Sequence, residues 1–212
     1  MPHPLAAQPA SLTKGGKAEV GNEAVSDTVL ARLAQSGDRE AMASLFARHE
    51  VAVFRLAYRV LHCADNADDV RQETFVRVFG SLSRFRQDAT FRTYALAICS
   101  NLCRDRLREN KRRPESLYGL APGDAILGAD GDPATQCVRG AENERVRCVV
   151  ASLSPAHRET LHLRYVEELS ADEIARVAGC SRLAVPVRVF RAKKAFEAAY
   201  RAQELQEGIK LL

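Results

Sequence analysis

The chain of 212 residues has no tryptophan, only two methionines and an aromatic content of 6%. Any aromatic stacking surface must therefore be built from Phe and Tyr. No run is long and apolar enough to span a bilayer, which excludes a membrane-inserted protein. There is no βαβ pattern, no Gly-rich phosphate loop and no strand alternation, which excludes the nucleotide-binding α/β classes. No Ser or Cys stands in a recognisable nucleophile context. His157 and His162 have no Cys, Asp or Glu at ligand spacing, so a catalytic or metal centre is not expected and no cofactor is implied. A large charge excess is also missing. The net charge is +4, so only the distribution of charge can argue for nucleic acid. Residues Met1 to Ala24 lack an apolar core and are rich in Ala, Pro, Gly and Lys. They read as a disordered tail and not as a secretory signal or anchor, and a cytoplasmic location is expected.

What is present is helical spacing in a soluble composition, 46% hydrophobic and 27% charged. Val29, Leu30, Leu33 and Ala34 mark a first helix, and Gly37 interrupts it. Asp38 caps a second, with apolar positions from Met42 to Leu61; His49 and Glu50 fall between them and are expected on the surface. Asp65 is a candidate N-cap for a third helix, with Asp68 and Asp69 in its first turn, where the helix dipole favours carboxylates. That role accounts for Asp65 and Asp68 and less well for Glu73, two turns in. Asp69, Gln72, Glu73 and Val76 recur at three- and four-residue spacing and form one stripe beside the apolar side of Val70, Phe75, Val76 and Phe79. Gly80 ends the helix.

Residues Arg84 to Thr90 read as a loop, and a fourth helix runs from near Thr90 to about Asn110. Between Arg84 and Arg113 nine bases face three acids, Asp88, Asp105 and Glu109. The bases are interleaved with Phe85, Phe91 and Tyr94, a pattern better suited to single-stranded nucleic acid than to a plain solvated face. Cys99 and Cys103 share a helix face, a spacing open to a metal or redox pair. Their Leu, Ile and Ala neighbours favour small buried side chains, and in a cytoplasmic setting the six cysteines are expected as free thiols.

Residues 114–141 lose periodicity and carry Pro, Gly and Asp, as a linker does. A second lobe follows. Ser154-Pro155 begins a helix with Leu161, Leu163 and Val166 on its apolar side. Ser170 and Glu173 form a capping box with Leu169 and Ile174 as its staple. Gly179 turns the chain and Ser181 is placed to cap a last helix bearing Arg182, Arg188, Arg191, Lys193 and Lys194. Short helix, Gly turn and basic helix make a helix-turn-helix. The expected fold is all-α: two small helical domains over 26–113 and 142–203, joined by a flexible linker over 114–141, with tails at 1–25 and 204–212.

With Asp68-Asp69-Val70-Arg71-Gln72-Glu73-Thr74-Phe75, Thr90-Phe91-Arg92-Thr93-Tyr94 and Asn101-Leu102 in the first lobe, the chain resembles the extracytoplasmic-function sigma factors of bacterial RNA polymerase. The second lobe adds Leu153-Ser154-Pro155, Leu163 to Ser170, Asp172-Glu173-Ile174-Ala175 and Phe190-Arg191-Ala192-Lys193-Lys194-Ala195. The resemblance covers both lobes in the family's order. It implies an alternative sigma factor that binds core RNA polymerase and directs it to specific promoters. Asp69, Gln72 and Glu73, with Phe75 nearby, would dock on the clamp helices of the largest subunit. Phe85, Arg86, Phe91, Arg92, Tyr94, Asn101, Arg104 and Arg108 would melt and hold the minus-ten element. Arg182, Arg188, Phe190, Arg191, Lys193 and Lys194 would read the duplex minus-thirty-five element, with the second lobe at the polymerase flap. The linker would thread toward the RNA exit path, and a protein anti-sigma factor is an implied partner alongside promoter DNA.

Two departures from the family pattern stand out. Tyr94 occupies a position often held by Trp. Pro186 and Val187 replace a cation and a small polar residue near the start of the recognition helix, where a proline threatens a kink or a late start. The alternative reading is a stand-alone helix-turn-helix regulator whose first lobe senses a ligand or dimerises; the acidic stripe beside an aromatic-basic loop argues against it.

Overall fold

The computed structural model describes residues 25–86, 88–112 and 144–210, with backbone alone over 207–210. Among these residues every regular element is helical: α1 Asp27–Gln35, α2 Arg39–Leu61, α3 Ala64–Gly80, a short 3-10 turn Leu82–Arg84, α4 Phe91–Arg112, α5 over 144–152, α6 Pro155–Tyr165, α7 Ala171–Ala178 and α8 Ala184–Lys210. The expected tail over 1–24 and the linker over 114–141 lie outside the described residues. α8 continues to Lys210, past the boundary expected near residue 203.

Local chemistry sets the helix ends. Asp38 accepts hydrogen bonds from the backbone N–H groups of Glu40 (2.9 Å) and Ala41 (3.2 Å), satisfying two orphan donors of α2. His62 closes α2 in the left-handed region (φ 55°), a conformation more often given to Gly or Asn. α3 begins two residues earlier than its acids suggest. Its N-cap is Cys63, with no side-chain bond, and Asp65 lies in the first turn as a charge facing the dipole. Asp68, instead of joining that turn, pairs with Arg71 (2.7 Å). Ser154 accepts from the His157 N–H with Pro155 behind it. The capping box at Ser170 and Glu173 is complete, and its staple residues Leu169 and Ile174 are both buried. Gly179 takes the left-handed turn (φ 62°) that a side chain would strain. Ser181 does not cap α8. Its carbonyl instead accepts from Ala184 N–H (3.0 Å), and α8 starts at Ala184. Pro186 is therefore third in the helix, where an N–H has no intrahelical acceptor to lose, and α8 needs no kink to hold it.

In the first lobe α2 is the central helix. Leu45, Val53, Leu56 and Ala57 are fully buried along it and meet Val70 and Val78 of α3 and Ala95, Leu96 and Cys99 of α4. α1 turns Leu30, Ala31 and Ala34 inward and leaves Val29 and Leu33 exposed, because Asp27 is tied to Arg48 (2.9 Å) and His49 (2.6 Å). His49 is accordingly buried against Phe91, not exposed, and Glu50 is half-buried on Arg71. Burial pushes the Asp27 carboxyl up, but the Arg48 hydrogen bond and the neighbouring His49 outweigh it and hold the group below its ordinary value.

The second lobe does not stand apart. Leu163, Leu169, Ile174, Val177 and Val185 belong to the same buried cluster as the first-lobe core. α6 packs on α2, and α7 packs on α4. Val166, expected on the apolar side, is exposed, because α6 ends at Tyr165. Its place is taken by Glu167, a buried carboxylate whose partners define the lobe interface.

Leu56 is a direct measure of the first-lobe core. Leu56→Ala is expected to cost about 2–5 kcal/mol, because the tight α2 seam cannot collapse into the void. Chemical denaturation should show a lowered midpoint with an unchanged slope.

Candidate functional site

The acidic stripe on α3 is at the surface. Asp69, Gln72 and Val76 are exposed and Glu73 is half-exposed, held at 2.7 Å by Arg77 in a solvated i,i+4 pair. Gln72 donates to Asp68 (2.7 Å). Phe75 is not part of that surface. Its ring is buried between Phe46 (4.7 Å) and Phe79 (5.9 Å), where it supports the helix from beneath.

The loop before α4 and the first turns of that helix form a second surface. Phe85 and Phe91 are both buried and packed edge to face at 6.2 Å, so Phe91 in particular is a core ring and not a free stacking platform. The reason is positional: Phe91 opens α4 directly over His49. Tyr94 stacks beside Phe85 at 4.8 Å, and its hydroxyl lies 2.7 Å from that of Ser81. Phe85, Arg86, Tyr94 and Ala97 line an open pocket of about 390 Å³, closed on one side by Arg176 of α7. Arg86, Asn101 and Arg108 are exposed.

Arg92 and Arg104 are engaged by the second lobe. Arg92 hydrogen-bonds Glu167. Arg104 donates to the carbonyls of Ala178 (2.6 Å) and Val177 (3.0 Å), the free C-terminal carbonyls of α7. Thr93 donates to Glu173 (3.0 Å), Ser100 to Glu159, and Arg176 to the Asp88 carbonyl. From the other side Arg158 of α6 donates to Val60 O (2.7 Å). The second lobe thus covers one flank of the α4 basic surface.

Glu167 sits at the centre of this interface with 2% of its side chain exposed. The His162 ring lies 3.1 Å away and is itself buried. Burial would push the Glu167 carboxyl up, but His162 and Arg92 together hold it below the ordinary range. Sequence spacing could not reveal this group, since Arg92 and Glu167 are 75 residues apart.

Cys99 and Cys103 are fully buried, and the adjoining Cys103 thiol, together with burial, pushes Cys99 well up, away from the reactive thiolate. Among the described residues no group of three or more His, Cys, Asp or Glu could hold a metal, and no helix is long and apolar enough to cross a membrane.

In the helix-turn-helix, Val185 and Ala192 face inward, while Arg182, Leu183, Val187, Phe190, Arg191, Lys193 and Lys194 face solvent and Arg188 is half-exposed. Arg182 pairs with Asp172 of α7 (3.2 Å). Lys194 lies over the Phe190 ring (5.9 Å).

A helical lobe with an acidic stripe and an aromatic-basic surface, followed by a basic helix-turn-helix, is an arrangement suited to binding nucleic acid. Residues 45–113 match the family model for Sigma-70 region 2, and residues 143–196 match that for Sigma-70, region 4. The RNA polymerase sigma-H factor of Pseudomonas aeruginosa is 31% identical over 179 residues, covering 82% of this chain and 93% of that one. The ECF RNA polymerase sigma factor SigC of Mycobacterium tuberculosis is 34% identical over 170 residues, covering 79% and 88%. The structure of CnrH in complex with the cytosolic domain of CnrY aligns with a TM-score of 0.61 at 29% identity, over 83% of this chain and 97% of that one; CnrH is a sigma factor of Cupriavidus metallidurans. The chain belongs to the extracytoplasmic-function sigma factors of the sigma-70 family and is an alternative sigma factor that directs RNA polymerase to promoters. Nothing in these matches supports a stand-alone helix-turn-helix regulator.

The interface has a pH signature. His62 is held down to about 4 by burial first and then by Arg158 and Arg59. The unfolded chain takes up this proton near the ordinary value of about 6.5 and the folded chain does not. The His62 contribution is therefore complete above pH 6.5 and lost progressively as pH falls toward 4. Thermal melts should show this decline, and His62→Asn, which tolerates the left-handed cap, should flatten it.

Proposed function

We propose that the α3 stripe of Asp69, Gln72 and Glu73 docks on the clamp helices of core RNA polymerase, with Phe75 holding the stripe in place from the core. The loop and α4 surface, with Phe85, Arg86, Arg92, Tyr94, Asn101, Arg104 and Arg108, opens the minus-ten element and keeps its strand, while the buried Phe91 supports that surface from the core. Arg86 and Arg108 neutralise phosphates, and the pocket beside Phe85 and Tyr94 receives an unstacked base. Stacking of about 1–3 kcal/mol per base offsets much of the few kcal/mol that extrusion costs. The second lobe, seated near the flap, reads the minus-thirty-five duplex with Arg182, Arg188, Phe190, Arg191, Lys193 and Lys194 of and beside α8. The assignment of roles is thus residues 26–113 for docking and minus-ten opening, and 142–203 for upstream reading. The protein acts in the cytoplasm and carries out no reaction itself; the chemistry belongs to the polymerase.

The observation that carries this reading is the use of Arg92 and Arg104. Both stand on the strand-holding surface, and both are bonded to the second lobe. The two lobes must part before these cations can reach phosphate, which makes the packed form a resting form. Binding to core separates the lobes and frees the surface. A protein anti-sigma factor would act by holding the packed form or by covering the α3 stripe; CnrH, of the same family, is known with a protein partner bound.

The double substitution Asp69→Lys with Glu73→Lys tests the docking face. It breaks one exposed ion pair, worth about 0.3–0.5 kcal/mol, so the melting temperature should hardly change. Affinity for core polymerase should fall at least tenfold, measured in competition with the housekeeping sigma subunit. Undiminished binding by the folded variant would remove the docking assignment.

A further inference from the structure

The exposed face of α8 combines two properties that rarely coexist. Leu183, in the turn just before α8, is 87% exposed; Val187 (49%) and Phe190 (61%) are three apart and share one side of the helix. Cations surround them. Between Arg182 and Lys194 there is no acid, and five bases are present. An apolar face with such a border suits a partner that is itself polyanionic yet offers apolar points at its surface, and duplex DNA is such a partner.

The hydrogen-bonding inventory narrows the chemistry. From Leu183 to Phe190 the chain reads Leu-Ala-Val-Pro-Val-Arg-Val-Phe, so Arg188 is the one side chain there able to donate a hydrogen bond. Arg182, just before it, is drawn to Asp172. Pro186 holds the third position of α8, within a helix that runs on without a break, and Val187 is exposed. The N-terminal turns of a recognition helix are the part that meets base edges in the major groove. There guanine, adenine and cytosine are distinguished by hydrogen bonds, whereas thymine alone offers a methyl group to an apolar side chain.

We infer that Leu183, Val187 and Phe190 read thymine methyl groups in the upstream promoter element, and that this chain selects that element by apolar contact where a cation and a polar residue would otherwise read hydrogen-bonding edges. The inference rests on the proposed role of α8 as the duplex reader. Val187 then makes a base contact of its own, and Arg188, Arg191, Lys193 and Lys194 supply the phosphate contacts that hold the helix in register.

The test uses the full chain assembled with core polymerase. Promoters are selected from a randomised duplex library, and each thymine of the selected upstream element is then replaced by deoxyuridine, which removes only the methyl. Binding should weaken about fourfold for each contacted methyl. Val187→Ala should erase the thymine–uracil difference at one position, while Lys193→Ala should weaken both duplexes equally. An upstream element that Arg191→Ala weakens but that is indifferent to uracil overturns the methyl readout and leaves α8 as the duplex reader. Selected promoters with no upstream element sensitive to α8 substitutions overturn both.

Discussion

A carboxylate with almost no exposed surface must be held by polar or positive partners, and Glu167 takes one from each lobe. His162 stands beside it on the same lobe, and Arg92 reaches it from α4. Removing one member of such a buried set leaves an uncompensated charge, at a cost of about 3–5 kcal/mol. Around this point the other interlobe contacts are arranged: Arg104 on the end of α7, Arg158 on the Val60 carbonyl, and Ser100 on Glu159. Each satisfies a polar group that would otherwise be buried unpaired, so the lobes close as a unit. The shared apolar core from Leu56 to Ile174 fills in behind them.

The same geometry ties stability to function. Arg92 and Arg104 cannot bond a carboxylate or helix carbonyls and at the same time hold a phosphate. Their engagement in the packed form sets a free-energy cost on opening, to be met by docking on core and by promoter contacts. On the proposed reading this arrangement orders the two binding events, because the α4 cations become available only after the lobes have parted. The α3 stripe is free of that constraint. Its polar contacts, the Arg77–Glu73 ion pair and the Gln72–Asp68 hydrogen bond, are solvated and local, so it is accessible while the lobes are closed.

Local features were legible in the sequence and long-range ones were not. The capping box at Ser170 and Glu173, the Ser154-Pro155 start, the Asp38 cap and the Gly179 turn each follow from a few adjacent residues, and each is present. The α3 stripe follows from helical spacing alone. Burial of His49 required knowing that Asp27 would swing onto it, and burial of Glu167 required Arg92, far away in sequence. The aromatic residues misled for a related reason. Composition shows that Phe85, Phe91 and Tyr94 accompany bases, but only packing shows Phe91 over His49 and leaves Tyr94 at the pocket rim. Pro186 likewise became harmless only when α8 was found to begin at Ala184.

The central claim is that the closed lobes are the resting form and that core polymerase opens them. Distance measurement by fluorescence energy transfer between dyes at Arg32 on α1 and Ala198 on α8, both exposed, tests it most directly. Free protein should give a single short distance, and addition of core polymerase should replace it with a distinctly longer one. The same distance before and after binding, with binding shown independently, would contradict the account, because Arg92 and Arg104 would then remain committed to the second lobe in the working complex.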